Sequence, residues 1–474
     1  MEQLTAVQLS TAIRSGEIGV LEATEAALRR ADADRHGAFV EVAHEQALTQ
    51  AQQLQDRLRD KDFRPGPLFG VPCPVKDLNQ VSGMVFEAGS AVYAGQRAER
   101  DDGVVTRIRE AGMVILGKTT TPEFGLPCYT EPEGRPAAVT PWDPTRMAGG
   151  SSGGAAAAVS GGVVPIAHGS DGGGSIRIPA SCCGLVGLKP SRGRISKGPH
   201  GVDGAAISSD GVLTRDVRDT AAALDALSTG WPGDFFAAPA GAPGGFLAAC
   251  DEDPGRLRIG VLSEPVISDE AEVHPAVTQA VKATVRQLSA LGHEVAVARK
   301  PFGAAEWGAF GDLWAVGALS VPVPEGAEDS LRPLTRWLRD KGRSCSALGF
   351  AAAYAGIQQI TRRTEQAWVG FDVILSPTLA QPPLPVGALR NDADPAADFA
   401  AQTDFTPWTS VWNLTGRPSI SLPLHTARID GVELPIGIML GGGLGEEARL
   451  LALAAQLEAT GPNRTQRTGT VRIR

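Results

Sequence analysis

Two serines, Ser151 and Ser175, sit in the glycine-rich run GGSSGGAAAAVSGGVVPIAHGSDGGGS, Gly149 to Ser175, and they pose the first chemical question. Glycine has no Cβ, so its backbone reaches dihedrals barred to other residues and can bring N–H groups close to a ligand atom. Gly172, Gly173 and Gly174 directly precede Ser175. A hydroxyl behind three such residues can attack a carbonyl carbon while the amides of Gly172, Gly173, Gly174 and Ser175 receive the oxygen that turns negative. One donor of this kind is worth about 3 kcal/mol in other hydrolases. The hydroxyl itself is a poor nucleophile at its free pKa and needs a base.

The residues alone leave that base open. Of the seven histidines, none stands in an evident catalytic motif. His168 is near Asp171 and Ser175 in sequence, but sequence proximity does not set reach. Lys76, delivered by the apolar segment LFGVPCPVKDLNQVSG (Leu68 to Gly83), can serve only if burial brings its pKa down toward 7. Gly150 to Gly154 also satisfy G-x-S-x-G, which would make Ser152 the nucleophile of an α/β-hydrolase-like esterase and require an Asp and a His downstream. A phosphate cradle is disfavoured, because no G-x-x-x-x-G-K-[ST] occurs and Lys189 lies well past the run.

Longer segments narrow the choice. The run through Ser175, continued by IRIPASCCGLVGLKPSRGRIS (Ile176 to Ser196), resembles the signature of the amidase signature family. GVPCPVKD resembles the segment that carries that family's catalytic lysine, and AGMVILGKTTTPEFG (Ala111 to Gly125) the βα segment after it. FDVILSPTLAQPP (Phe371 to Pro383), WNLTGRPSISLPL (Trp412 to Leu424) and LPIGIMLGGGLGEEARLLALAAQLE (Leu434 to Glu458) resemble its late strands and closing helix. The match spans nearly the whole chain.

The resemblance implies a Ser-cisSer-Lys triad, with Ser175 as nucleophile, Ser151 as the bridging serine after a cis Gly150–Ser151 peptide, and Lys76 as base. It implies an oxyanion hole from the backbone amides of Gly172, Gly173, Gly174 and Ser175, with Ser152 in support and Asp171 and Arg177 as a buried ion pair fixing the loop. It also implies hydrolysis of amide C–N bonds through an acyl-enzyme, without cofactor or metal. Many members carry threonine or another side-chain-bearing residue where this chain has Gly172, a departure that implies a looser loop or a wider acyl pocket. The stretch after Ser175, with Gly172, is similar to the branch holding aryl acylamidases, cyclic nylon-oligomer hydrolases and urethanases, so a small-molecule amide or carbamate is the expected substrate. A glutaminase subunit of a transfer-RNA amidotransferase is the alternative. There the segment after the nucleophile tends to read Arg-Gln-Pro, against Arg177-Ile178-Pro179 here.

Composition sets the outer bounds. The 474 residues are 43% hydrophobic and 20% charged, with a net charge of −9, which suits a globular chain and disfavours nucleic acid as a partner. The six cysteines show no C-x-x-C or metal-ligand spacing, and the neighbours Cys182 and Cys183 read as small packing residues. No basic start with an apolar stretch opens the chain and no apolar run approaches membrane-spanning length. A reducing cytoplasmic setting, no membrane contact and a monomer or homodimer are therefore expected.

Elements must position these residues. Leu9, Ile13, Leu21 and Leu28 recur at helical spacing near the start, as do Leu450, Leu453 and Leu457 behind Glu446 and Glu447 near the end. Leu257, Ile259 and Val261 alternate as in a strand, Val373 to Leu375 read as a buried one, and Val114 to Leu116 form a short apolar run between glycines. The alternation predicts an α/β fold, which the resemblance sharpens to a mixed, twisted central β-sheet flanked by α-helices on both faces. A single amidase signature domain over 1–474 is expected, with a variable substrate-shaping region at about 231–350. Within it, Trp231 to Pro254 reads as an irregular excursion, while Trp307, Phe310, Trp314 and Trp337 are candidates for an aromatic wall.

Overall fold

Short apolar strands drawn from both halves of the chain build one eight-stranded sheet in the computed structural model, which describes residues 4–202 and 204–460. Residues 1–3, 203 and 461–474 of the expected 1–474 domain lie outside the described residues. From one edge the order is Glu294–Val297, Arg258–Val261, Val373–Pro377, Val432–Gly441, Ser419–Ile429, Val186–Lys189, Ser209–Thr214 and Ile166–Asp171. The first three strands run parallel, and every later neighbour is antiparallel. The sheet is mixed, as expected.

Its burial explains its composition. All six residues of Ile166–Asp171 and all five of Val373–Pro377 are buried, so side chains pointing to either face of the pleat are covered. Helices supply the cover. Val217–Leu227 packs on Ser209–Thr214, Pro275–Ala290 on the strands that follow it, and Glu447–Thr460 on Ser419–Ile429. Their ends follow capping rules: the Asp216 carboxylate accepts from Asp219 N–H, and Pro275 opens its helix behind His274. The helices expected at Leu9 to Leu28 and Leu450 to Leu457 are present, as Ala6–Arg14, Val20–Asp32 and Glu447–Thr460.

A small second sheet carries one of the candidate site residues, Lys76. Phe39–Val42 pairs antiparallel with Gly117–Thr119, which pairs parallel with Val75–Lys76, setting Lys76 opposite Thr119. The apolar run Val114 to Leu116 leads into that middle strand and is wholly buried. Trp231 to Pro254 is mostly irregular but contains the short helix Phe246–Ala249. Beyond it, Ala304–Ser320 and Ala347–Ala367 contribute to a second apolar cluster that includes Phe310, Trp368, Trp408 and Trp412, and Pro333–Ser344 packs on Ala304–Ser320 through Leu334 and Leu338. Among the described residues no helix is long and apolar enough to cross a membrane.

Candidate active site

Lys76 is fully buried at the end of its short strand, and its amine faces hydroxyls. Nζ lies 2.8 Å from Ser151 Oγ, 2.9 Å from Ser152 Oγ and 3.1 Å from Ser170 Oγ, with the Ser170 carbonyl at 3.3 Å. Burial pushes its pKa down to about 7, with Asp171 and Asp210 pulling it up and Lys197 adding to the fall. Near neutrality, therefore, a substantial fraction carries a free lone pair.

Close approach brings the two serine segments together. A Cβ on Gly150 would sit 2.7 Å from the Tyr129 backbone, so only glycine lets the chain pass there before Ser151. The Gly150–Ser151 peptide is cis. Thr121 Oγ1 donates to the Ser151 carbonyl at 3.1 Å, and Ser152 N–H donates to the Ser175 carbonyl at 3.2 Å. Ser175 lines the adjoining pocket. Ser152 does not: it is fully buried, and its hydroxyl is held between Lys76 Nζ and the Ser170 backbone. That corrects the esterase alternative, since a nucleophile elbow must expose its hydroxyl.

An ion pair beneath the loop holds its shape. Arg177 grips Asp171 with Nη2 at 2.8 Å from Oδ1 and Nε at 2.9 Å from Oδ2, both side chains fully buried. The remaining donors of Arg177 reach the Thr409 carbonyl and Asn413 Oδ1, each at 2.7 Å, while Asn413 Nδ2 donates to Asp171 Oδ1 at 2.9 Å. Burial alone would raise the Asp171 pKa, but the Arg177 charge and these hydrogen bonds hold it well below the carboxylate range. One of the four expected oxyanion donors is lost to this network. Gly174 N–H donates to Asp171 Oδ1 at 2.8 Å, and the carbonyl of the same peptide, on Gly173, accepts from Thr409 Oγ1 at 2.7 Å. With both ends tied, the amide of Gly174 is unavailable; those of Gly172, Gly173 and Ser175 make no hydrogen bond among the described residues. Gly174 itself has φ +135°, with Ile178 and Thr409 crowding the place of a Cβ.

His168 is a brace. It is fully buried, its Nδ1 accepts from the Lys76 backbone N–H at 3.4 Å, and its Nε2 faces Asp210 Oδ1 at 3.4 Å. Asp210 Oδ2 accepts from Lys197 Nζ at 2.7 Å. Strand alternation puts His168 and Ser170 on the face toward Lys76, the one signal by which Ser170 was detectable in advance.

A pocket open to solvent adjoins Ser175. Trp307, Phe310, Trp314 and Phe399 form its aromatic part, Leu126 and Ile178 also line it, and no charged side chain does among the described residues. Phe310 lies between its two neighbours, with ring centroids 5.2 Å from Trp307 at 20° and 5.2 Å from Trp314 at 19°. Two expectations need correction. Trp337 does not line the pocket; it packs behind Phe399 at 5.6 Å. Nor does Gly172 widen the pocket, because the Trp314 ring occupies the space a side chain would take. Gln402, Thr406 and Ser410, which also line the pocket, come from a segment outside the expected region at 231–350. Sequence gave no sign of these, nor of Asn413 and Thr409.

Lys189 shows why depression alone does not mark a base. It too is fully buried and pushed down to about 7, by burial and then by Arg177, yet its Nζ donates to the Pro190 carbonyl at 2.6 Å. Cys182 and Cys183 are buried and free, as packing residues should be. Among the described residues no group of three or more His, Cys, Asp or Glu could hold a metal ion.

Residues 22–451 match the family model described as Amidase. The chain is 34% identical over 480 residues to the 6-aminohexanoate-cyclic-dimer hydrolase of Paenarthrobacter ureafaciens, covering 95% of this chain and 93% of that one. A solved structure of 6-aminohexanoate cyclic dimer hydrolase superposes with a TM-score of 0.88 at 32% identity, covering 98% of each chain. A bacterial aryl acylamidase shares the fold, with a TM-score of 0.86 at 23% identity over 98% of this chain and 97% of that one.

Proposed function

The chain belongs to the amidase signature family and is an amidohydrolase of amide C–N bonds; we propose that it works through an acyl-enzyme on Ser175, with Ser151 and Lys76 as a proton relay. The carrying observation is the buried amine of Lys76, 2.8 Å from Ser151 Oγ and poised near neutrality. Neutral Lys76 takes the Ser151 proton as Ser151 takes that of Ser175, whose Oγ bonds to the acyl carbon. The amides of Gly172, Gly173 and Ser175 receive the oxyanion. Ser151 returns a proton to the departing nitrogen, the C–N bond breaks, and water repeats the sequence on the ester to free the acid. Ser152 and Ser170 keep the lysine aimed.

We further propose an uncharged substrate with a ring or an apolar body: an aryl amide, an aryl carbamate or a cyclic amide. A pocket walled by four aromatic rings and lacking charge favours such groups. A cyclic dimer of an amino acid, the substrate in the relatives' name, has neither free amine nor carboxylate and fits the same description. A carbamate offers the same acyl carbon with an alkoxy substituent. Glutamine fits poorly, since nothing charged in the lining would meet its ammonium and carboxylate.

A panel of an anilide, an aryl carbamate, a cyclic diamide and glutamine, run with wild type and Ser175→Ala, tests the reading. Turnover of one of the first three, lost in the variant and accompanied by an acyl adduct on the Ser175 peptide in mass spectra, is expected. Turnover of glutamine alone, or activity surviving Ser175→Ala, would overturn it.

A further inference from the structure

Gly172 and Gly173 have no backbone reason to be glycine, since neither adopts the left-handed φ found at Gly174. What fills the space beside them is aromatic. A Cβ on Gly172 would lie 3.1 Å from Trp314 Cζ3 and 3.2 Å from Cη2; one on Gly173 would lie 3.3 Å from Phe310 Cζ. Carbon atoms in contact rest at about 3.5 to 4.0 Å, so either added side chain must displace a ring.

The rings are not free to yield singly. Trp314 stacks on Phe310 and Phe310 on Trp307, and Trp307 Nε1 donates to Ser410 Oγ at 2.9 Å. The column rises from the helix Ala304–Ser320 and lands on the loop that ends in Ser175.

We propose that Gly172 and Gly173 are specificity-determining positions, whose bare backbone seats Trp314 and Phe310 against the nucleophile loop and so fixes a planar slot that selects substrates with an aromatic ring beside the scissile bond. The proposal rests on the hydrolytic reading above. It goes beyond it by locating selectivity in the loop as much as in the wall, and by making the two interdependent.

The test compares kcat/KM for p-nitroacetanilide and N-hexylacetamide in wild type, Gly172→Thr, Trp314→Ala and the double variant, with Gly172→Ala as a milder step and thermal melts on each. Gly172→Thr should lower the anilide-to-alkylamide ratio at least tenfold and Gly172→Ala by a smaller factor. With alanine at 314, adding the threonine should change the ratio less than twofold, because the ring it displaces is gone. An unchanged ratio in Gly172→Thr, or an equal fall with and without Trp314, would overturn the proposal while leaving the hydrolytic reading intact. A wild-type chain that cleaves neither substrate would overturn both. Should Gly172→Thr melt before assay, the Gly172→Ala ratio with and without Trp314 decides in the same way.

Discussion

The floor of the site and its wall are built on opposite principles. The floor gathers Lys76, Ser151, Ser152, Ser170, Asp171, Ser175 and Arg177, polar groups at most slightly exposed and fixed by hydrogen bonds to one another. The wall gathers Trp307, Phe310, Trp314 and Phe399, which touch through ring faces and, among the described residues, carry a single anchoring side-chain bond, from Trp307 to Ser410. Buried polar groups must be satisfied or they cost several kcal/mol, whereas ring contacts tolerate small shifts. On the proposed reading, chemistry resides where hydrogen bonds fix the geometry, and substrate choice where stacked rings shift only together.

Changes in the floor should be felt with every substrate. Ser175→Ala or Lys76→Met should lower kcat roughly 10⁴-fold or more for anilide, carbamate and cyclic amide alike, as loss of a triad member does elsewhere. Steady-state rates above a tenth of wild type in Lys76→Met would erase the distinction between floor and wall. Asp171→Asn leaves the Arg177 guanidinium buried without its counter-charge, and denaturant unfolding should register a loss of about 3–5 kcal/mol.

Wall variants should discriminate. Trp307→Ala should raise KM for an anilide about tenfold, the scale of a lost aromatic contact of 1–1.5 kcal/mol, with a smaller effect on a linear alkyl amide. Equal effects on both substrates would count against a ring-selective wall.

The pH profile sharpens the contrast from the other side. The proposed relay requires Lys76 as the free amine, so kcat/KM should fall below pH about 7, tenfold per unit. The charged groups bearing on that amine are Asp171, Asp210 and Lys197. Asp210 carries a negative charge that favours the ammonium, so Asp210→Asn should lower the Lys76 pKa and move the acid limb to lower pH. No wall variant should move it. The smallest effect expected is that of Trp337→Ala, under threefold on any substrate, because Trp337 stands outside the pocket lining, against Phe399.

The same contrast explains what could be read from the chain alone. Lys76, the two serines and the Asp171–Arg177 pair lie in short, glycine-marked segments whose composition follows from the approach of backbone to backbone, so Gly150 and Gly174 announce them. Ser170 was within reach through strand alternation with His168. The diversion of Gly174 N–H was not, since it depends on Asp171 turning back under the loop and on Thr409 holding the Gly173 carbonyl. The wall was legible only as a cluster of aromatics: Trp307, Phe310 and Trp314 share a helix face by spacing, but Phe399 and Gln402 enter from the distant helix Pro395–Phe405, and Thr406 from its end, which local pattern does not link to it. The sheet was foreseen in kind, from apolar runs at Ile259 and Val373, though its strand order depends on pairings between remote segments.

The cage around Asp171 and Arg177 has a consequence for biosynthesis. Its closing member, Asn413, is 236 positions beyond Arg177, so a ribosome exposes Ser175 long before the loop can acquire its final form. A chain that ends short of the helix Ser410–Thr415 lacks Asn413, and with it one of the partners that hold Asp171 and Arg177 in place.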